Sequence, residues 1–281
     1  MPLLSLLPLL LLSPLSAFLV PPPAFSPNAK PNAPLFGWGP DPIWAPEVTP
    51  KVTPLADGYI EVVCAALTSE GNGGAEAFTK PGQYVQVKCE DQVSFLAIRS
   101  APSPRPEFSF LLKSSPSTAP LFLDPPPPVS LSQPLGAGFP VEDISGFRYD
   151  FPLTKVVLCA LGTGIAPVAS LLDSDALRLS RKSPSGRSAV LYYGVRTPAE
   201  RLLGEEVFAK WERELELTVK FVYSKDGNGY VQDVLEREKG EVFDVPRNTG
   251  VVCAGTKGMM ERVKEIAEGC GVLEGRVVSN F

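Results

Sequence analysis

The stretch with the most chemical content is Gly162-Thr-Gly-Ile-Ala-Pro167, which directly follows the apolar run Lys155–Leu161. Two glycines permit a tight turn and let the backbone approach a ligand closely. Pro167 has a fixed φ and no N–H, which suits the first turn of a helix. The free N–H groups and dipole at such a helix start form a site for a pyrophosphate. Gly162, Thr163, Gly164, Ile165, Ala166 and Pro167 are therefore read as a phosphate-binding strand–turn–helix. The third glycine of the usual dinucleotide fingerprint is missing, and no acid ends the second strand. That strand instead ends Tyr192-Tyr-Gly194-Val-Arg196-Thr197. A Gly-rich turn without a ligand is the plain alternative.

Other chemistries are excluded by composition. The chain of 281 residues has no histidine, which removes Ser-His-Asp and Cys-His nucleophile systems and His-ligated zinc or haem. Cys64, Cys89, Cys159, Cys253 and Cys270 contain no C-x-x-C pair, so no metal site is expected. Their odd number and wide spacing read as reduced, buried thiols rather than a disulfide framework. The net charge is −5, which argues against a nucleic-acid partner.

The elements that must carry the glycine turn fall into two textures. Tyr59–Leu67, Pro81–Cys89, Ser94–Ile98, Phe108–Leu112 and Val129–Ser132 are short β-type runs with Gly/Pro turns between them. They predict a small antiparallel Greek-key β-barrel, with no helix before about 150. After 150 the runs at 155–161, 189–193, 217–223 and 250–254 are continuously apolar, as in parallel strands buried on both faces. Between them, 199–216 carries a helical stripe of Leu203, Val207, Phe208, Trp211 and Leu215, and 256–270 one of Met259, Val263, Ile266 and Cys270. The fold class is a two-domain β plus α/β chain. The expected units are 1–46 as leader and disordered or loosely docked arm, 47–149 as the barrel, and 150–281 as the parallel-sheet nucleotide-binding domain.

Fourteen of the 31 prolines lie in the first 54 residues, so little of that stretch suits a packed fold. Residues 3–20 are uncharged and proline-broken, carry Ser16-Ala17 and then Phe18 near their end, and lead into an acid-poor segment. This resembles the bipartite signal-plus-transit leaders of algae with complex plastids. Plastid delivery with no membrane span in the mature form is the expectation. Secretion and a retained membrane tether are the alternatives.

The order barrel, GTGIAP, YYGVRT, YSKDG…GYVQD, CAGTKGM and terminal aromatic resembles the ferredoxin–NADP reductase superfamily over roughly residues 50–281. It is similar to a plastid flavin reductase-like branch that includes a plant fruit protein. It is similar too to the electron-transfer subunit of dihydroorotate dehydrogenase, whose Cys-ligated 2Fe–2S cluster this chain lacks. The resemblance implies FAD on the barrel (FMN being the alternative), a nicotinamide nucleotide on the α/β domain, and hydride transfer between them.

Residue by residue, the resemblance puts Gly162, Thr163, Gly164 and Pro167 at the pyrophosphate, with Gly194 at the end of the second strand. Cys253, before Ala254, Gly255, Thr256, Lys257, Gly258 and Met259, would sit beside the nicotinamide; a buried core cysteine is the alternative. Ser224 and Lys225, with Arg196 as a second cation and Tyr230 stacking on adenine, would favour NADP(H) over NAD(H). The family's Arg-x-Tyr-Ser flavin strand falls on Ser94–Ala97, where Leu96 replaces Tyr and Ala97 replaces Ser. It continues through Ile98, Arg99 and Ser100. Thr118, three residues before Leu121, would cap a short helix and bind the flavin pyrophosphate. Pro134–Phe139 matches the loop closing the barrel. Phe281 would gate the flavin face.

The implied activity is a flavin-dependent NAD(P)H oxidoreductase with an unidentified acceptor, a redox protein among the candidates. The competing reading is a nucleotide-binding redox sensor or partner module that has lost flavin, supported by the degraded strand at 94–100.

Overall fold

The computed structural model describes residues 42–65, 75–102, 107–145, 150–227 and 229–279. The leader expected in residues 1–41, and Phe281, lie outside them.

Six strands form the first half: β1 (Lys51–Ala56), β2 (Tyr59–Ala65), β3 (Tyr84–Cys89), β4 (Gln92–Ala97), β5 (Glu107–Lys113) and β6 (Ser130–Leu131). They make two three-stranded antiparallel sheets, ordered β1-β2-β5 and β4-β3-β6. Ile60, Val62, Cys64, Val85, Val87, Phe108, Phe110 and Leu112 fill the space between them. In the β3–β4 ladder Val85 faces Leu96 and Val87 faces Ser94, whereas Tyr84 faces Ala97 and Gln86 faces Phe95. Because strand side chains alternate, the first two pairs point into the core and the second two point out.

Strand β1 was not anticipated, because Pro54 interrupts its run; it is an edge strand, where a missing N–H costs no ladder bond. A short helix, α1 (Val141–Ser145), also forms before 150, where none was expected. Trp44 bridges to Ser132 and Val48 to Val129, so the last residues assigned to the arm pair with the barrel.

The second half alternates β7 (Lys155–Leu161), α2 (Ile165–Asp173), β8 (Ser188–Val195), α3 (Glu205–Glu214), β9 (Leu217–Tyr223), α4 (Val231–Val242), β10 (Thr249–Ala254), α5 (Lys257–Gly269) and β11 (Val277–Ser279). The five strands are parallel in the order β11-β10-β7-β8-β9. Val156, Leu158, Ala160, Leu191 and Tyr193 pack with Leu171, Phe208 and Trp211 of α2 and α3. On the other face Val157, Cys159, Tyr192 and Val222 pack with Leu235, Val263 and Ile266 of α4 and α5. Helix α3 is shorter than the expected 199–216: Gly204 is its extended N-cap. Leu202 and Leu203 are buried before the helix begins.

Strand order reverses between β7 and β10. Clefts in such sheets open at the carboxyl ends of the strands at this switch point. The two halves are tied beside it: the Ser170 hydroxyl of α2 donates to the Ser100 carbonyl at 2.8 Å. At the opposite end the fully buried Arg276 donates to the carbonyls of Arg247 and Phe151, anchoring the segment that joins the halves.

Candidate functional site: a cleft in two compartments

The turn after β7 is built as its glycines require. Gly162 has φ +54°, a backbone conformation that L side chains rarely adopt. Gly164 packs so tightly that a Cβ there would lie 2.3 Å from the Ala254 carbonyl oxygen. The turn after β7 and the end of β10 therefore touch, which places the start of α2 beside the start of α5. Neither Gly164 nor Thr256, the two N-caps, makes a side-chain capping bond. The Ile165 N–H at the start of α2 is taken up by the carbonyls of Gly162 and Thr163, and the positive ends of the two helix dipoles suit an anion.

Two compartments meet at this turn. The first, about 260 Å³, is lined by Gly162, Thr163, Gly194, Arg196, Glu200, Ser224, Gly229 and Tyr230, with Tyr59 and Lys113 entering from the barrel. Six residues singled out for the nucleotide (Gly162, Thr163, Gly194, Arg196, Ser224 and Tyr230) are thus together. The Tyr230 N–H is fixed by the Asp233 carboxylate at 2.7 Å. Its ring stays 55% exposed, available to stack on a planar base. Lys225 is exposed, and its N–H donates to the Arg196 carbonyl at 3.1 Å. The Arg196 guanidinium contacts Glu200 at 2.8 Å, which holds the arginine more firmly ionised.

The second compartment, about 590 Å³, lies between the barrel and the turn. Its barrel wall is Val93–Ala97, Leu111–Lys113, Ser115, Ser117 and Thr118; its other wall is Thr163, Gly164, Ala166, Pro167 and Ala254–Thr256. Leu161, Thr163, Lys113 and Thr256 line both compartments, so the two adjoin. The volume matches that of a cofactor pocket. The groove between the barrel and the turn is left open.

The aromatic expected to be lost on this wall is present one residue earlier. Leu96 points into the barrel core, whereas Phe95 is 45% exposed, lines the cleft and lies 5.9 Å from the Tyr84 ring. Ladder register decides this: Leu96 pairs with the buried Val85.

Other residues expected at the flavin are placed as follows in the barrel and at its junction with α2. Ile98 and Leu121 are buried in the barrel core. Arg99 turns to Asp173 of α2 at 4.0 Å, and Ser100 faces Ser170; none of these four lines either compartment. Thr118 does reach the cleft, but its hydroxyl closes its own loop. It donates to the Lys113 carbonyl at 2.8 Å and accepts from the Ser115 N–H at 2.9 Å. It makes no capping bond to the short helix that follows.

Cys253 is buried, at a pocket that shares Gly255 with the second compartment. Its thiol donates to the Val278 carbonyl at 3.4 Å and lines this pocket, of about 420 Å³, with Gly255, Lys257 and Val278. Burial pushes this thiol up to about 12, so it is protonated at neutral pH. Met259 is buried and Gly258 lines neither compartment. Ile165 is core.

Residues not anticipated are Tyr59, Phe95, Lys113, Glu200 and Thr256. Thr256 stood inside the quoted CAGTKGM run. Phe95 is identified only once the β3–β4 register is known. Lys113 carried no local signal: it reaches the junction only because β5 ends there, with its ammonium 5.8 Å from the Tyr59 ring centroid.

Known proteins share these features. Residues 158–265 match the oxidoreductase NAD-binding domain family. A bifunctional cytochrome P450/NADPH–P450 reductase of Fusarium oxysporum is 29% identical over 126 residues, covering 42% of this chain and 11% of that protein. The NADPH–cytochrome P450 reductase of Mus musculus is 29% identical over 127 residues, covering 43% and 19%. The matches thus span a fifth or less of these relatives' length. A point mutant of ferredoxin–NADP+ reductase from Plasmodium falciparum, solved with 2′P-AMP, superposes with a TM-score of 0.63 at 18% identity, covering 85% of this chain and 95% of that one.

Proposed function

We propose that this chain, whose residues 158–265 form an oxidoreductase NAD-binding domain on the two-domain fold of the ferredoxin–NADP reductase superfamily, is a flavin-dependent NAD(P)H oxidoreductase. The observation that carries this reading is that the two compartments adjoin, sharing Thr163, Lys113 and Thr256 in their walls. A dinucleotide lying in the first compartment would end where a ring in the second begins.

Gly162, Thr163 and the start of α2 would hold the dinucleotide pyrophosphate through backbone N–H groups. Tyr230 would stack on adenine. Ser224, Lys225 and Arg196 would surround a 2′-phosphate, which favours NADP(H) over NAD(H). Lys113 would supply a cation to phosphates at the junction. In the second compartment Phe95 would cover one face of FAD, while the Ser115 and Ser117 hydroxyls would meet its polar edge. Bound there, the flavin supplies a hydride acceptor, and that chemistry is the cofactor's own. The protein orients the two rings and excludes water; no protein acid or base is required for the transfer. The protonated, inward-facing Cys253 takes no direct part. The onward acceptor is proposed to be a redox protein, and the leader composition supports plastid delivery.

One observation favours the competing reading of a flavin-free nucleotide sensor. Lys113 is the only cation among the described residues lining the second compartment, and Thr118 is occupied within its loop. Titration of the purified protein with FAD, followed by quenching of flavin fluorescence, separates the two. Saturable binding weakened by Phe95→Ala supports the reductase. Binding of NADPH without any binding of FAD supports the sensor.

A further inference from the structure

The dinucleotide compartment holds one acidic side chain among its described lining residues, Glu200. It is the deeper member of an ion pair: its side chain is 13% exposed against 57% for Arg196, with Nε to Oε2 at 2.8 Å. A short helical turn, Pro198–Glu200, sets this spacing directly after β8. The pair therefore stands at the end of the second strand of the sheet, where dinucleotide sites read the adenosine ribose.

The two nicotinamide dinucleotides differ at that ribose in a chemically opposite way. A 2′-hydroxyl is a donor that a carboxylate accepts. A 2′-phosphate is an anion that a guanidinium binds and a carboxylate repels. An Arg–Glu pair presents both groups. With the phosphorylated nucleotide, Arg196 must be shared between Glu200 and the phosphate. With the unphosphorylated one, Glu200 accepts the hydroxyl while Arg196 keeps its charge balanced.

We propose that the Arg196–Glu200 ion pair is the element that sets nucleotide choice, with Glu200 restraining selectivity for NADPH and admitting NADH. This deepens the reading of the first compartment as a nicotinamide nucleotide site and rests on it. Glu200 acts on the phosphorylated nucleotide through Arg196 and on the unphosphorylated one by direct contact.

Competition binding with 2′,5′-ADP and 5′-AMP tests this without any hydride transfer. Glu200→Gln keeps the shape and removes the charge. It should raise the preference for 2′,5′-ADP over 5′-AMP by about tenfold, an interaction of the size of one charge-assisted hydrogen bond. Arg196→Gln should lower the same ratio by at least as much, by freeing Glu200. The double variant should depart from the sum of the two opposed single effects, since the two residues act on each other. The ratio of kcat/KM for NADPH and NADH should move in the same directions. Ratios within twofold of the parent in both single variants, with both nucleotides still bound, overturn the proposal and leave the nucleotide site standing. Failure of the parent protein to bind either nucleotide overturns both.

Discussion

The two walls of the cleft are made in different ways. The α/β wall is a backbone construction: a turn at Gly162–Gly164, the start of α2 and the close approach to Ala254. The barrel wall is a side-chain construction, in which β4 shows the cleft whatever its alternation turns outward. Backbone sites depend on residue types that few other arrangements require, such as glycine at φ +54°. Side-chain sites depend on phase, and a shift of one residue exchanges the core face for the ligand face.

The sharpest way to break the contrast is Gly164→Val. Its Cβ would lie 2.3 Å from the Ala254 carbonyl, so the turn or β10 must move. NADPH binding should fall more than 100-fold by isothermal titration, a loss of the order of one 1.4 kcal/mol step per factor of ten. FAD binding should suffer less. Retained NADPH affinity would mean that the turn does not shape the site.

Next in size is Lys225→Glu. Reversing a charge beside the proposed 2′-phosphate should raise the NADPH KM about 30-fold and leave the NADH KM nearly unchanged. Equal changes for both nucleotides would remove Lys225 from the phosphate site.

On the barrel wall the neighbouring variants Phe95→Ala and Leu96→Ala should part company. Phe95→Ala removes an exposed ring and should weaken FAD about tenfold, in line with the worth of an aromatic contact. Leu96→Ala removes a core side chain and should cost about 2–4 kcal/mol of stability in urea unfolding, with little effect on FAD in the folded protein. The reverse pattern would restore the sequence-based assignment of Leu96 to the cofactor face.

The smallest effect at neutral pH is expected from Cys253→Ala, with hydride transfer within about threefold of the parent and no inflection between pH 6 and 8. At high pH the thiols matter. Burial raises Cys253 and Cys64 from 9.0 to about 12, so the folded chain keeps protons that the unfolded chain has released. The stability they contribute is complete below about pH 9 and is lost as pH climbs towards 12. The thermal midpoint should decline over that window, and less steeply in Cys253→Ala.

Much of this molecule was legible before its structure. Apolar runs marked β7, β8 and β10, as parallel strands buried on both faces read, while β9 at the sheet edge keeps Thr218 and Lys220 in its run. The glycine turn after β7 was legible too, because few other arrangements require glycine there. Strand β1 was not, since Pro54 reads as a breaker unless the edge position is known. Phe95 was not, because the family register puts Leu96 at the cofactor while the Val85–Leu96 pairing puts it in the core. The direction of the Cys253 thiol was hidden too. It depends on which helix layer covers that face of the sheet, here α5, and no local pattern reports that. Lys113 reaches the cleft through tertiary placement alone, whereas Glu200 is set there by the local turn after β8.

The central claim is that hydride crosses from a nucleotide on one wall to a flavin on the other. Its most direct test is the visible spectrum of the FAD-loaded protein under argon, recorded before and after one equivalent of NADPH. The expected result is loss of the oxidised flavin band within the mixing experiment, abolished by Gly164→Val. A flavin band that persists while NADPH is demonstrably bound would contradict the account.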